Sequence, residues 1–254
     1  MEEAEIFAGK VAFVTGAATG FGAAFARNLC AGGAAVTLAD IDRAGVARLA
    51  DELQAAGHRA LPLACDVADE MAVAQAMERT ADTFGGLDIL INNAGLHSVA
   101  YNRSFGELGM GETRRLFDVN VFGVLHCTLA ARPLMAARGG GSVVNISSIA
   151  GFASANAYGV SKLTVRGLTI ALAHELAPDA IRVNAIAPGL IATETIRAEM
   201  PAAMFDEFAR DKQLVHRTGE MADIVGAMRH LCSDAASFVT GETLKVAGGF
   251  PLSI

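Results

Sequence analysis

The chain has 254 residues, 52% hydrophobic and 19% charged, with a formal charge of -7 at neutral pH. Such a composition supplies a large buried core and excludes a disordered chain, and without a basic stripe the acidic balance excludes a phosphate-neutralising nucleic-acid surface. The start Met1-Glu2-Glu3-Ala4-Glu5 lacks the basic and apolar regions of a secretory signal, and no apolar run reaches the ~18 residues that span a bilayer. The four cysteines, Cys30, Cys65, Cys127 and Cys232, contain no C-x-x-C pair. A cytoplasmic protein with no membrane partner, no metal site and no disulfide framework is the expectation.

Val11 to Val14 is a β-branched and aromatic run, closed by Thr15-Gly16-Ala17-Ala18-Thr19-Gly20-Phe21-Gly22 and followed by a helical stretch through Leu29. Strand, glycine-rich turn and helix start together make a phosphate cradle, because backbone N–H groups and the helix dipole face the anion. The spacing is G-x-x-x-G-x-G, and as a mere tight turn it would need no ligand. Ala35 to Ala39 reads as a second strand ending at Asp40, followed by Ile41. An acid about 20 residues past such a turn is placed to accept a hydrogen bond from an adenosine ribose 2′-hydroxyl and repels a 2′-phosphate, which favours NAD over NADP. Arg43 would offset part of that repulsion. Alternatively, Asp40 and Asp42 cap the next helix.

The pattern then repeats. A helix from about Arg43 to Ala56 leads to strand Ala60 to Ala64, then Asp66-Val67, a helix from Glu70 to Phe84 and the apolar strand Leu87 to Ile91. Alternating strands and amphipathic helices predict an α/β Rossmann-type fold: one doubly wound parallel sheet between two helical layers, in a single domain spanning 1–254. Ligands on such sheets bind at the carboxyl ends of the strands, where Asp40, Asp66 and Asn92-Asn93-Ala94-Gly95 all fall. A long helix, about Glu112 to Ala137, carries Asn120 at its centre and is expected to bend near Pro133. Asn120 is either an exposed, inconsequential residue or a polar fixture of a cleft. Gly139-Gly140-Gly141 turns the chain into strand Ser142 to Ile146, which delivers Ser147 and Ser148 to the same edge.

The next helix, to about Leu176, begins with Tyr158-Gly159-Val160-Ser161-Lys162. Residues four apart share a helix face, and an ammonium beside a phenol favours the phenolate, so Tyr158 next to Lys162 would titrate below its usual ~10. Such a tyrosine can exchange a proton with an alcohol or ketone. Strand Ile181 to Ile186 ends in Ala187-Pro188-Gly189-Leu190-Ile191-Ala192-Thr193. Residues 194–215, with Met200, Met204, Phe205 and Phe208 among charges, read as a substrate lid with an apolar inner face or as an ordinary surface hairpin. A helix from Ala222 to Cys232 and strand Thr243 to Val246 complete the sheet. His97 either points into a substrate pocket or is a solvated loop histidine. His126, His174 and His216 have no ligand-like spacing.

Taken together, TGAATGFG at 15–22, Asp66, NNAG at 92–95, Asn120, Ser148, YGVSK at 158–162 and PGLIAT at 188–193 resemble the short-chain dehydrogenase/reductase family, from Lys10 to Gly249. The resemblance implies that Gly16, Thr19, Gly20, Phe21 and Gly22 line a pyrophosphate turn, that Asp40 and Ile41 meet the adenosine ribose, and that Asp66 and Val67 meet adenine. It implies that Asn93, Ala94 and Gly95 flank the cofactor, that Pro188 and Gly189 also bind it, and that Ile191 offers backbone groups to the nicotinamide carboxamide with Thr193 nearby. Lys162 would hold the nicotinamide ribose and lower the Tyr158 pKa, Ser148 would orient the substrate oxygen, and Asn120 would support a water linked to Lys162. The implied activity is NAD-dependent interconversion of a secondary alcohol and a ketone, in a homotetramer using the two long helices. The apolar candidates Phe152, Met200, Met204 and Phe205, with His97, lean toward a hydrophobic small-molecule substrate. A 3-oxoacyl thioester on an acyl carrier protein is the alternative, with Arg103, Arg114 and Arg115 as a local docking patch. A nucleotide-binding regulatory protein without turnover is the alternative from another class.

Two departures stand out. Only nine residues separate Ser148 from Tyr158, about three fewer than in many members, and Ser148 is chosen over Ser147 because Ser148-Ile149-Ala150-Gly151 fits the S-x-x-G pattern. Ala247-Gly248-Gly249 stands where an acid-Gly-Gly is frequent.

Overall fold

The computed structural model describes residues 5–97, 100–193, 196–197 and 201–252. Among these, seven strands form one parallel sheet: β1 Val11–Thr15, β2 Ala35–Asp40, β3 Ala60–Ala64, β4 Ile89–Asn92, β5 Gly141–Ile146, β6 Ile181–Pro188 and β7 Thr243–Val246. The strand order is β3-β2-β1-β4-β5-β6-β7. The chain winds outward from β1 to β3, then returns to place β4 on the other side of β1, so the switch point lies between β1 and β4. In register, Thr15 stands beside Ala39, and Asn92 beside Asn145.

Successive side chains on these strands point to opposite faces. Ala12, Val14, Val36 and Leu38 pack with helices α1 Gly20–Ala31, α2 Arg43–Ala55 and α9 Met221–Cys232. Val11, Phe13, Leu90 and Val143 pack on the other face with α3 Glu70–Phe84, α5 Gly123–Ala137 and α7 Ala157–Leu176. Both faces are therefore covered, and the strands are apolar on both sides, as parallel sheets require. Asp69 caps α3 through the amides of Met71 and Ala72, and Gly85 closes it in the left-handed region at φ 86°.

The long helix differs from the sequence expectation. It begins earlier, as α4 Phe105–Phe117, because Ser104 and Glu107 form a capping box. Gly109 leaves helical geometry (φ 77°, ψ 162°), a π-helical turn covers Asp118–Phe122, and α5 continues through Pro133 to Ala137. The whole helical run, Phe105–Ala137, spans 33 residues and is by length and composition apolar enough to cross a membrane, although charged residues interrupt it. Here Leu116, Val124, Cys127, Ala131 and Met135 are buried within the fold. A short α6, Ala150–Ala153, follows Ser148, and α8, Ala202–Asp211, falls within the segment read as a lid.

Candidate active site

The switch point carries a cleft of about 640 Å³. Its glycine turn is built by close approach. Gly16 and Gly20 have positive φ (62° and 56°), and a Cβ on Gly22 would fall onto the Gly16 carbonyl. Asn93 holds this turn, its Nδ2 donating to the carbonyls of Thr15 (2.9 Å) and Gly16 (3.0 Å). Thr15 Oγ1 accepts from the amides of Asn93 and Ala94, both at 2.9 Å, so β1 and β4 are stitched at their carboxyl ends. Sequence reading assigned Thr15 no role, although it opens the TGAATGFG motif. Thr19, the N-cap of α1, is extended and makes no side-chain cap bond. The first amides of α1 thus have no side-chain acceptor of their own beside the cleft, and a Cβ on Gly20 would meet nothing within 4 Å. A cradle of this kind fits a phosphate-bearing group.

Asp40 closes β2 with its Oδ2 accepting from Ala18 N and its Oδ1 from Asp42 N, each at 2.9 Å. It ties the glycine turn to the strand end, whereas the cap of α2 is Asp42, which accepts from Gly45 N. Ile41 is exposed at the cleft beside it. The exposed Asp66 turns the chain by accepting from Ala68 N (3.0 Å), and the carbonyl of the buried Val67 meets His126 Nδ1 at 2.9 Å. Burial and the neighbouring Asp66 push the Cys65 thiol up to about 11, so this cleft cysteine is an unreactive thiol at neutral pH.

Ser148, Tyr158 and Lys162 converge on the cleft, with the two serines in different roles. Ser147 is buried with its hydroxyl donating to the Lys162 carbonyl (2.9 Å). Ser148 instead lines the cleft with Tyr158 and favours its phenolate, and its oxygen accepts from Ala150 N at 3.1 Å. Lys162 is 5% exposed, donates from Nζ to the Ile146 carbonyl at 2.8 Å and stands 5.9 Å from the Tyr158 ring centroid. Burial lowers its pKa to about 8. The expected depression of the Tyr158 pKa is corrected here. Burial raises it above the ordinary phenol value and Ser148 draws it back only in part, while the Lys162 ammonium is engaged by the Ile146 carbonyl.

Asn120 is 1% exposed in the π turn, a geometry that sequence propensity does not anticipate. Its Oδ1 accepts from Leu96 N (2.7 Å), and its Nδ2 donates to Leu96 O (3.0 Å) and Ser161 Oγ (3.2 Å). It pins the segment after NNAG to α7. Gly95 lies under this pair, since a Cβ there would sit 3.3 Å from Asn120 Oδ1 and 3.4 Å from Lys162 Nζ.

At the end of β6 and just beyond it, Pro188, Gly189, Ile191 and Thr193 line the cleft. Ile191 bridges to Gly219, and Thr193 Oγ1 accepts from Ile196 N at 3.3 Å. His97 is exposed and lines the cleft. The apolar substrate candidates fare differently. Phe152, Met204 and Phe205 are not among the described residues that line it: Phe205 is buried, Met204 is half exposed, and Phe152 lies between two cations. Met200 lies outside the described residues. Leu96, Leu190 and Ile196 supply apolar wall instead, with Arg115 and Asp118 as polar lining. His126 and His216 bind backbone carbonyls, of Val67 and Ala209.

A glycine turn at the switch point of a parallel sheet, with Ser, Tyr and Lys gathered at the same edge, defines an oxidoreductase of the Rossmann class. Residues 16–251 match the family model described as Enoyl-(Acyl carrier protein) reductase, and the chain belongs to the short-chain dehydrogenase/reductase family. It is 41% identical over 249 residues to cis-4-hydroxycyclohexanecarboxylate dehydrogenase of Sinomonas cyclohexanicum, covering 97% of this chain and 98% of the relative. Among solved structures it resembles 7α-hydroxysteroid dehydrogenase complexed with NADH and 7-oxo glycochenodeoxycholic acid (TM-score 0.89, 32% identity, 96% of this chain and 94% of that one). It also resembles a 3-oxoacyl-[acyl-carrier protein] reductase with bound NAD from Brucella melitensis (TM-score 0.87, 35% identity, 99% and 95% covered).

Proposed function

We propose that the protein is an NAD(H)-dependent dehydrogenase that interconverts a secondary alcohol and its ketone, with Tyr158 as general acid and base. The observation that carries this reading is the convergence of Ser148, Tyr158 and Lys162 on the cleft that also holds the glycine turn. The residues fit a nicotinamide dinucleotide: uncapped amides and open space at Gly20 for the pyrophosphate, Asp40 for the ribose hydroxyls, and Asp66 and Val67 for the adenine. When bound, the dinucleotide supplies or accepts the hydride. Lys162 would hold its second ribose. Ser148 donates a hydrogen bond to the substrate oxygen and keeps it beside the phenol. In reduction Tyr158 gives its proton to that oxygen, and in oxidation it takes the proton from the alcohol.

The raised phenol pKa sets a direction with pH. Tyr158 stays protonated through neutrality, so reduction holds its rate there. Oxidation needs the phenolate, and its kcat/KM should climb with alkalinity by up to about tenfold per unit. Parallel pH profiles of the two directions check this, and an oxidative maximum at or below neutrality would contradict it.

Asp40 supports NADH over NADPH. A 2′-phosphate about 4 Å away costs on the order of 1 to 4 kcal/mol, so the kcat/KM preference should lie between several-fold and a thousandfold. The test of the whole reading is a spectrophotometric screen of secondary alcohols and ketones with both cofactors. NADPH preference would show Asp40 misread. Tight NADH binding without any turnover would favour the regulatory alternative.

Cyclic and steroidal alcohols lead the screen, supported by the relatives' substrates and by Leu96, Leu190 and Ile196 on the wall. The 3-oxoacyl thioester remains the second reading, supported by the Brucella relative and by Arg115 at the cleft. The exposed Phe122 and Leu129 before and on α5, with Leu163 and Ile170 on α7, support a homo-oligomer joined through the long helices.

A further inference from the structure

The short connection from Ser148 to Tyr158 is docked on the catalytic helix with almost no side chain between. A Cβ on Gly151 would lie 2.7 Å from the Lys162 carbonyl carbon, and one on Gly159 would lie 2.9 Å from the Ala150 carbonyl oxygen. These contacts exclude slack but do not by themselves hold the turn in place, since bare backbone contact has no directional bond. Arg166, one helical turn beyond Lys162, supplies that bond. Its Nη1 donates to the Gly151 carbonyl at 2.9 Å, and its guanidinium lies over the Phe152 ring with Cζ 3.6 Å from the centroid. The Arg166 Nε is buried without a hydrogen-bond partner. An unpaired guanidinium N–H is costly unless the flat face beside it is attractive, which an aromatic ring provides. The ring's environment is completed by Lys245 on β7, with Nζ 4.8 Å from the centroid and 3.1 Å from the Pro251 carbonyl it donates to. Phe152, taken from sequence as a substrate contact, is therefore the centre of a clamp on the turn.

The turn so held begins at Ser148. The Ser148 carbonyl accepts from Gly151 N (3.0 Å), and its hydroxyl accepts from Ala150 N (3.1 Å). Of the two residues that Arg166 grips, Gly151 is thus bonded directly to Ser148, while Phe152 N donates to the adjacent Ile149 carbonyl.

We propose that Arg166, acting through the Gly151 carbonyl and the Phe152 ring, is a positioning residue that sets the Ser148 hydroxyl against Tyr158. The inference rests on the dehydrogenase reading and deepens it. It accounts for how a connection with nine intervening residues keeps Ser148 in place.

The test is Arg166→Met, which retains length and removes both the carbonyl bond and the planar stack. It should lower kcat about tenfold in both directions, the scale of one lost hydrogen bond in a positioned site. Displacing Ser148 also removes what draws the Tyr158 pKa down, so the alkaline limb of the oxidative profile should move to higher pH. Ser148→Ala should shift that limb the same way. NADH affinity, read by fluorescence titration, should stay within twofold, because Arg166 does not line the cleft. Arg166→Lys should rescue only partly, since an ammonium cannot make the carbonyl bond and the flat stack together. Phe152→Leu should reproduce the shift at smaller size and decides the matter if Arg166→Met fails to fold. An unshifted profile in folded Arg166→Met, with or without a lower Tm, would overturn the proposal when Ser148→Ala does shift. An unshifted profile in Ser148→Ala as well would instead remove Ser148 from the mechanism.

Discussion

Tyr158→Phe is expected to lower turnover by at least ~100-fold in both directions while NADH binding survives. The substitution removes one oxygen and leaves the ring, which packs beside Leu108, Leu116 and Ala157, so no cavity opens and the helix start keeps its shape. What disappears is the one phenol in the cleft, which Ser148 contacts. Neither neighbour can take over. A serine hydroxyl is far too weak an acid, and Lys162 directs its Nζ to the Ile146 carbonyl. Single-turnover reduction separates this loss from slow product release, and fluorescence titration with NADH tests the retained binding. Full activity in the variant would remove Tyr158 from the mechanism, whereas loss of both activity and binding would mean the cleft itself had collapsed.

Much of this arrangement could be read along the chain because its signals are local. The bounds of β3, α3 and β7 follow directly from apolar runs, Asp69 and Gly85. The order Gly turn, Asp40, NNAG, Ser148, Tyr158 places each group at a strand end, and in a parallel sheet all strand ends share one edge. The parts that were not legible depend on pairs distant in sequence or on backbone irregularity. Thr15 and Asn93 hold one another across 78 positions. Asn92, Thr128, Asn145 and Thr169 form a buried polar chain that joins the sheet to α5 and α7 and that no spacing announces. The start of α4 was signalled by Ser104 and Glu107 but obscured by Gly106, Gly109 and Gly111, which are poor helix formers. The Tyr158 pKa was misjudged because residues four apart on a helix share a face without their end groups touching. Here desolvation, a property of the surrounding fold, sets the direction.

Gly22→Ala should weaken cofactor binding on the order of 100-fold although the added group is one methyl. Three glycines mark the turn, and the structure separates their reasons. At Gly16 and Gly20 the backbone has positive φ, where an L side chain costs about 1–2 kcal/mol. Gly22 has no such constraint, being an ordinary residue of the first turn of α1, and sequence alone would suggest that alanine improves the helix. The obstacle is the Gly16 carbonyl, whose oxygen occupies the place of the new Cβ, with Asn93 Nδ2 2.7 Å away on the same side. Neither can yield independently: Asn93 Nδ2 donates to that carbonyl and to that of Thr15, and it joins β4 to β1. The helix start must therefore move off the turn, carrying with it the amides that would face the phosphates of the proposed cofactor. Overpacking of this kind costs about 1–3 kcal/mol of stability, and the loss of one amide bond to a charged group lowers NADH affinity on the order of 100-fold. Thermal unfolding should show a Tm drop of roughly 2–4 °C per kcal/mol, with a folded, far weaker binder remaining. Wild-type NADH affinity in Gly22→Ala would mean that the turn can relax, and that the close approach of helix to strand is not what shapes the cradle.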